Sequence, residues 1–346
     1  MTADAVGGVW TYALDLANAL APHGVEVELA TMGRPLDAAQ RAASARSAVA
    51  DLHESAFALE WEDEPWEDVR RAGRWLLELE EHVRPDVVHL NGYAHGSLPW
   101  AAPVVVVAHS CVLSWWEAVK GGPAPPEWDR YRTAVEAGLR AARAVVAPTS
   151  AMLEALARHY RFRTDAFVVP NGRAPASADA VRKERFVLGL GRFWDEAKNL
   201  AALQRIREEV PWPIVLAGDG SELGRVSADE AAAYVARAAI FASPARYEPF
   251  GLSILEAGLA GCALVLGDIP SLREVWGDAA VFVPPSDDTA VAAALRALAR
   301  DDERRRELGV RARRRAATYT AERMARAYLE LYERLTRDRA AEAALA

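Results

Sequence analysis

Ile240-Phe241-Ala242-Ser243-Pro244-Ala245-Arg246-Tyr247-Glu248-Pro249-Phe250-Gly251-Leu252-Ser253-Ile254-Leu255-Glu256-Ala257 holds a strand, a loop and the start of a helix in one short span. Ile240–Ser243 is an apolar run of strand length, Pro249 and Gly251 forbid a simple helix start before them, and an apolar segment of helical period follows. The loop therefore stands at the carboxyl end of a strand, where open α/β sheets bind their ligands. Backbone N–H groups around Phe250 to Ser253 and the positive helix end favour an anionic diphosphate there, and Gly251 lets the backbone approach closely. Glu248 and Glu256 repel phosphate, so beside a diphosphate they serve as acceptors for sugar or ribose hydroxyls or as acid/base groups. The plainer alternative makes Glu256 a solvated first-turn residue and Glu248 a loop charge.

Outward from this span, short apolar runs alternate with Ala- and Leu-rich segments of helical period, the pattern of parallel sheets covered by helices. The fold class is α/β. Strands are expected in the first half at Val25–Thr31, Asp86–Asn91, Val104–His109, Ala144–Pro148 and Phe167–Pro170. In the second half they are expected at Phe186–Gly191, Ile214–Ala217, Ile240–Ser243, Ala263–Gly267 and Ala280–Val283. The polar, Pro-containing stretch Asn171-Gly172-Arg173-Ala174-Pro175-Ala176-Ser177 between the halves reads as a linker. Two doubly wound domains follow, residues 1–172 and 173–320. A last helix, Ala321–Arg337, aligns Met324, Tyr328, Leu331, Tyr332 and Leu335 on one face and is expected to return to the first domain.

A chain of 346 residues, 51% of them hydrophobic, is long and apolar enough for two ordinary cores. Net charge is −8, and no long basic block precedes the C-terminal third, so a nucleic-acid partner lacks its electrostatic footprint. Two cysteines, Cys111 and Cys262, sit in or beside apolar runs and suit reduced thiols in a cytoplasm. No apolar stretch reaches the roughly 18 residues of a bilayer span, and Met1-Thr2-Ala3-Asp4 lacks a basic signal-peptide head. A cytoplasmic location without a transmembrane segment is the expectation.

Two places depart from regular α/β alternation. Gly7-Gly8-Val9 and the helical pattern Trp10–Leu20 resemble a phosphate-approaching loop opening a helix, yet only six residues precede them, so a first strand is missing or nearly so. From Gly218-Asp219-Gly220 the chain reaches the helix near Asp229 in a few residues, where a further helix and strand would ordinarily fit. A second ligand signal follows the strand Phe186–Gly191: Arg192 and Lys198 stand at its carboxyl end, a planar fork and a point charge aimed at a leaving diphosphate. Pairing with Asp195 and Glu196 at a helix start is the plain alternative at equal weight.

With these residues in place, the chain closely resembles the family-4 retaining glycosyltransferases of the GT-B fold, whose two Rossmann-like domains face each other across a cleft. The resemblance runs from Gly7-Gly8-Val9 through Val169-Pro170-Asn171-Gly172 and Gly218-Asp219-Gly220 to Leu272-Arg273-Glu274-Val275-Trp276-Gly277. Its most specific part is the pair Glu248 and Glu256, separated by seven residues. It implies that Arg192 and Lys198 hold the donor diphosphate. Glu248 and the amides of Phe250, Gly251 and Leu252 hold the transferred sugar, and Glu256 the ribose hydroxyls. Gly8 lets the first domain close on the phosphate, and His109 faces the donor sugar as a positioning and charge-stabilising group. It further implies retention of configuration by front-face attack, with a nucleotide-sugar as co-substrate and no other cofactor. No metal is implied, and the sequence contains no Asp-x-Asp motif. The shortened stretch after Gly220 falls where the nucleotide-base pocket is normally completed.

Other features weigh less. Trp115 and Trp116, beside Gly121-Gly122-Pro123, could stack on an acceptor, although core packing is the commoner use of tryptophan. The cluster Trp61–Asp68 and the arginines of 304–315 read as solvated helix faces. The acceptor class stays open among small molecules, glycans and lipid-linked compounds. Two other classes share the scaffold: a nucleotide-sugar epimerase or glycoside phosphorylase, and an inactive nucleotide-sugar-binding protein.

Overall fold

The computed structural model describes residues 1–174 and 181–345, so Pro175-Ala176-Ser177 of the expected linker lie outside the described residues. The chain divides into two compact units. One comprises Met1–Ser114, Pro123–Gly172 and the C-terminal segment from Ala321; the other comprises Arg173–Thr320 together with Trp115–Gly122. That last short segment, which the sequence leaves within residues 1–172, thus groups with the second unit.

The first unit carries seven strands: β1 (Thr2–Asp4), β2 (Val27–Met32), β3 (Val49–Glu54), β4 (Val88–Leu90), β5 (Val104–Val107), β6 (Ala144–Ala147) and β7 (Ala166–Val168). They form two all-parallel sheets, ordered β1-β2-β3 and β4-β5-β6-β7. β1 corrects one expectation. Three residues are enough for a strand there, because Thr2, Ala3 and Asp4 pair in register with Ala30, Thr31 and Met32. Gly7 and Gly8 therefore do follow a strand, and the helix Gly8–Leu20 opens from them. β3 has no counterpart in the sequence expectation: Val49-Ala50-Asp51-Leu52-His53-Glu54 is half polar and has no buried residue, an edge strand without a continuous apolar run.

β4 and β1 are neighbours across the gap between the sheets, and Asn91, just past β4, bridges them. Its N–H donates to Thr2 Oγ1 at 2.9 Å and its Nδ2 donates to the Thr2 carbonyl at 2.6 Å. The last helix runs Ala321–Leu345, longer than expected, with Met324, Ala325, Tyr328, Leu331 and Leu335 buried. It lies against the helix Gly8–Leu20, where the Tyr12 and Tyr328 rings meet edge-on at 6.3 Å.

The second unit is one parallel sheet of β8 (Glu184–Leu190), β9 (Ile214–Ala217), β10 (Ala238–Ser243), β11 (Ala263–Gly267) and β12 (Val281–Val283), ordered β12-β11-β10-β8-β9. Every residue of β10 and β11 is buried, because helices cover both faces. Phe241, Leu264, Leu266 and Trp276 fill one side, and Ile240, Val265, Leu203 and Leu295 the other. Past Gly220 the chain loops to the helix Ala228–Arg237, capped by Ser227, and passes straight into β10. β9 is therefore an edge: among the described residues no strand pairs beyond it.

Candidate active site

In the second unit the strand order reverses beside β8, with β9 on one side and β10 on the other. That switch point leaves a crevice outside the carboxyl ends of β8 and β10, and the two candidate loops flank it. They are tied together: Arg246 N–H donates to the Ala197 carbonyl at 2.8 Å, and Asn199 Nδ2 donates to the carbonyls of Pro244 at 2.9 Å and Pro285 at 2.8 Å. Asn199 itself is left-handed, with φ 51°, which the short polar side chain tolerates.

Arg192 Nη2 lies 2.8 Å from Asp195 Oδ2, as the plain alternative holds. Lys198 does not follow that alternative; it pairs with Glu248 on the facing loop, while Glu196 is taken by Lys120 at 2.7 Å. Asp195 was not singled out from sequence, yet it organises this half. Its Oδ1 accepts from the Ala197 N–H at 3.0 Å and from the Trp115 indole at 3.3 Å. Burial works against its charge, but the Arg192 hydrogen bond, with Lys198 and Trp115 nearby, holds the carboxyl below its ordinary value. Arg192 and Lys198 are each matched by a carboxylate, so the backbone adds to their attraction for an anion, and each cation reaches a diphosphate while shared with its carboxylate partner.

The backbone supplies the rest. Gly251 precedes the helix Leu252–Leu259 with φ 90°, and a Cβ on it would come within 2.7 Å of Ile254 Cδ1. No side chain caps this helix, and its first backbone bond is Leu255 N–H to the Gly251 carbonyl at 2.9 Å, so the earlier N–H groups have no partner within the helix. Phe250 contributes backbone only, because its ring is buried and meets Tyr319 edge-on at 5.6 Å. Ser271 Oγ donates to the Glu248 carbonyl at 2.6 Å and fixes the loop. One turn on, Glu256 Oε1 accepts from Arg173 Nη2 at 2.8 Å, so it is a half-exposed, ion-paired residue rather than a solvated one. Arg173, read from sequence as part of a linker, is a member of the site's framework.

The first unit repeats the motif. Its strand order reverses between β1 and β4, where Gly8, Asn91 and, past β5, His109 gather. Gly8 is exposed at the start of a helix whose N-cap, Gly7 (φ 89°), offers no side-chain bond. His109 is half-buried, its ring edge-on to Tyr12 at 4.4 Å and its Nε2 2.8 Å from Asn91 Oδ1. Burial pushes its imidazole down to about 3. At neutral pH it is uncharged in this structure. Trp115 and Trp116 stack edge-on at 5.8 Å with the Lys120 ammonium over both rings, at 5.6 and 5.9 Å. The expected acceptor contact thus competes with partners those rings already hold. A His, Glu and Asp trio, His53, Glu28 and Asp51, lies on β2 and β3 away from these strand ends. No helix among the described residues is long and apolar enough to cross a membrane.

Residues 6–176 match the model described as Glycosyltransferase Family 4, and residues 178–315 that described as Glycosyl transferases group 1. A phosphatidyl-myo-inositol mannosyltransferase of Mycolicibacterium smegmatis is 32% identical over 212 residues, 51% of this chain and 55% of that protein, so the chain spans about half of that relative. A D-inositol 3-phosphate glycosyltransferase of Kineococcus radiotolerans is 28% identical over 419 residues, 99% of this chain and 93% of that protein. An alignment longer than this chain means that the relative carries segments absent here. Among solved structures, sucrose-phosphate synthase from Thermosynechococcus elongatus superposes with TM-score 0.78 at 19% identity, covering 96% of this chain and 95% of that one. Anabaena HepE in complex with UDP-glucose does so with TM-score 0.73 at 16% identity, covering 96% and 99%.

Proposed function

Since the chain belongs to the group 1 glycosyltransferases, with the two Rossmann-like domains of the GT-B fold, we propose that it moves a hexosyl group from a nucleoside-diphosphate sugar to an acceptor hydroxyl, with retention and without a metal ion. The observation that carries this reading is the uncapped helix Leu252–Leu259 at the switch point, framed by the Lys198–Glu248 and Arg173–Glu256 pairs. The free N–H groups and the helix end take the diphosphate, and Arg192 and Lys198 meet the charge that grows on it as the glycosidic bond breaks. Glu248 accepts from the sugar hydroxyls, and Glu256, held in place by Arg173, accepts from the ribose. The leaving phosphate oxygen removes the acceptor proton, so no separate base is needed. His109, uncharged, positions the sugar.

Neutralisation by two cations and a helix end replaces the role a divalent ion plays elsewhere. A UDP-sugar is the first donor to test, because UDP and UDP-glucose occupy the structurally similar HepE, and inositol phosphates are the first acceptors, from the relatives' names. The location consistent with this chemistry is the cytoplasm, where nucleotide-sugars are made. The deciding experiment is a panel of nucleotide-sugars and acceptors scored for nucleoside diphosphate. Release that depends on acceptor supports transfer. Interconversion of the sugar without release, or binding without turnover, would replace it with an epimerase or an inactive binder.

A further inference from the structure

Around His109 the first unit builds a hydrogen-bond chain whose direction can be assigned from end to end. Its anchor is the side-chain amide of Asn91. Nδ2 lies 2.6 Å from the Thr2 carbonyl oxygen, which only accepts, so the NH2 end of the amide faces Thr2 and Oδ1 faces away. That oxygen in turn only accepts, and it meets two imidazoles, His109 Nε2 at 2.8 Å and His89 Nε2 at 3.2 Å. Each of those nitrogens must then carry its hydrogen. His89 Nδ1 is left with a lone pair, and it accepts from the Tyr332 hydroxyl of the C-terminal helix at 2.6 Å. The Tyr12 hydroxyl, 3.3 Å from His89 Nε2, is placed to accept as a second partner. Burial pushes both imidazoles down to about 3, so neither carries a second proton near neutrality. His109 Nδ1 is therefore a bare acceptor, and among the described residues it makes no hydrogen bond to the protein.

We propose that Asn91 is a positioning residue for glycosyl transfer: it locks His109 in the Nε2–H tautomer, so that Nδ1 is a fixed hydrogen-bond acceptor for a substrate hydroxyl. The bond that enforces this starts at the Thr2 carbonyl of β1, so the strand pairing that sets Thr2 beside Asn91 sets the state of a group on the loop after β5, and the Tyr332–His89 bond is a second branch on the same amide oxygen. The proposal rests on the reading of His109 as a substrate-facing group; the tautomer assignment does not. A purely structural Asn91 would only bridge β1 and β4 through Thr2, which its two N–H donors do. The oxygen turned toward the histidines is the part that concerns the reaction.

The test is two-bond 1H–15N correlation NMR on protein labelled at histidine, with His109→Gln to assign the resonances. Wild type should show His109 as a neutral Nε2–H imidazole from about pH 6 to about pH 8. Asn91→Leu removes the acceptor that fixes the tautomer, so a minor Nδ1–H population, absent in wild type, should appear beside the Nε2–H form, as in a free imidazole. In the same variant kcat/KM should fall about two- to tenfold, the worth of one neutral hydrogen bond. The wild-type spectrum alone decides the tautomer assignment if Asn91→Leu fails to fold. An Nδ1–H or doubly protonated His109 in wild type, or an unchanged tautomer in Asn91→Leu, overturns the proposal. If the tautomer is as assigned but His109→Gln transfers normally, the reading of His109 falls, and the positioning role of Asn91 falls with it.

Discussion

Lowering the pH from 7.5 to 5 should destabilise this protein sharply, because several basic groups of the first unit, His89 and His109 foremost, are held uncharged by burial. His89 is 3% exposed, and burial, with a smaller contribution from the nearby N-terminal ammonium, pushes it from its ordinary 6.5 to about 3. His109, likewise depressed by burial, follows the same course. A base whose folded value is depressed binds more protons unfolded than folded. Its contribution to stability is therefore complete above about pH 6.5, the ordinary histidine value, and is lost as the pH falls toward the folded value. At pH 5 the unfolded histidine is almost fully protonated and folded His89 almost not at all, so the 1.5 units below 6.5 cost about 2 kcal/mol for this residue. His109 adds at most the same. A loss of about 2–4 kcal/mol is a large fraction of an ordinary domain's stability.

The N-terminal ammonium, pushed by burial from its ordinary 8 to about 6, and the buried His95, pushed down likewise, act in the same sense, while other groups act differently. Tyr12, Tyr328 and Tyr332 are pushed up by burial and stay neutral throughout, while the buried Glu60 carboxyl is raised and so works in the opposite sense. Urea unfolding followed by circular dichroism at the two pH values measures the difference, and His89→Gln should remove about 2 kcal/mol of it. An unchanged midpoint at pH 5, or a His89→Gln protein with the wild-type pH dependence, would refute the assignment of these rings as neutral.

Four further outcomes are expected. Arg192→Ala should lower kcat about a hundredfold to a thousandfold in steady-state assays, because its target charge develops only as the diphosphate leaves. Glu256→Ala should instead raise the donor KM about tenfold to a hundredfold with kcat nearly kept, and its melting temperature should stay within a few degrees of wild type, since the Arg173 pair is half-exposed. Transfer should survive excess EDTA; loss restored only by magnesium or manganese would contradict the metal-free reading. Gly251→Ala should be destabilised by more than about 1 kcal/mol in urea and should weaken donor binding, because a side chain at φ 90° is strained and would press on Ile254.

Much of the molecule was legible in the residues themselves. The five apolar runs of the second half each became a strand, because β-branched and aliphatic residues buried on both faces leave a continuous signal. The strand–loop–helix of Ile240–Ala257 placed Glu248, Gly251 and Glu256 correctly in their elements because Pro249 and Gly251, between an apolar run and a helical period, mark the turn. β3 was invisible because an edge strand exposes its side chains and needs no apolar pattern. β1 was invisible because three residues are too few to show a period, and only pairing with β2 makes them a strand.

What composition, period and turn chemistry determine is local: the α/β class, most of the elements, the loop that carries the glutamates. Tertiary structure alone decided which charges meet. Lys198 pairs with Glu248 fifty residues away, Arg173 leaves an apparent linker to hold Glu256, and Asp195 collects Arg192 and Trp115. A hydrogen bond depends on the positions of two atoms in space, and those positions are set by strand order, which no local pattern encodes. The state of His109 is the clearest case. Its tautomer follows from a carbonyl at residue 2 and an amide at residue 91, brought together only when β1 and β4 pack.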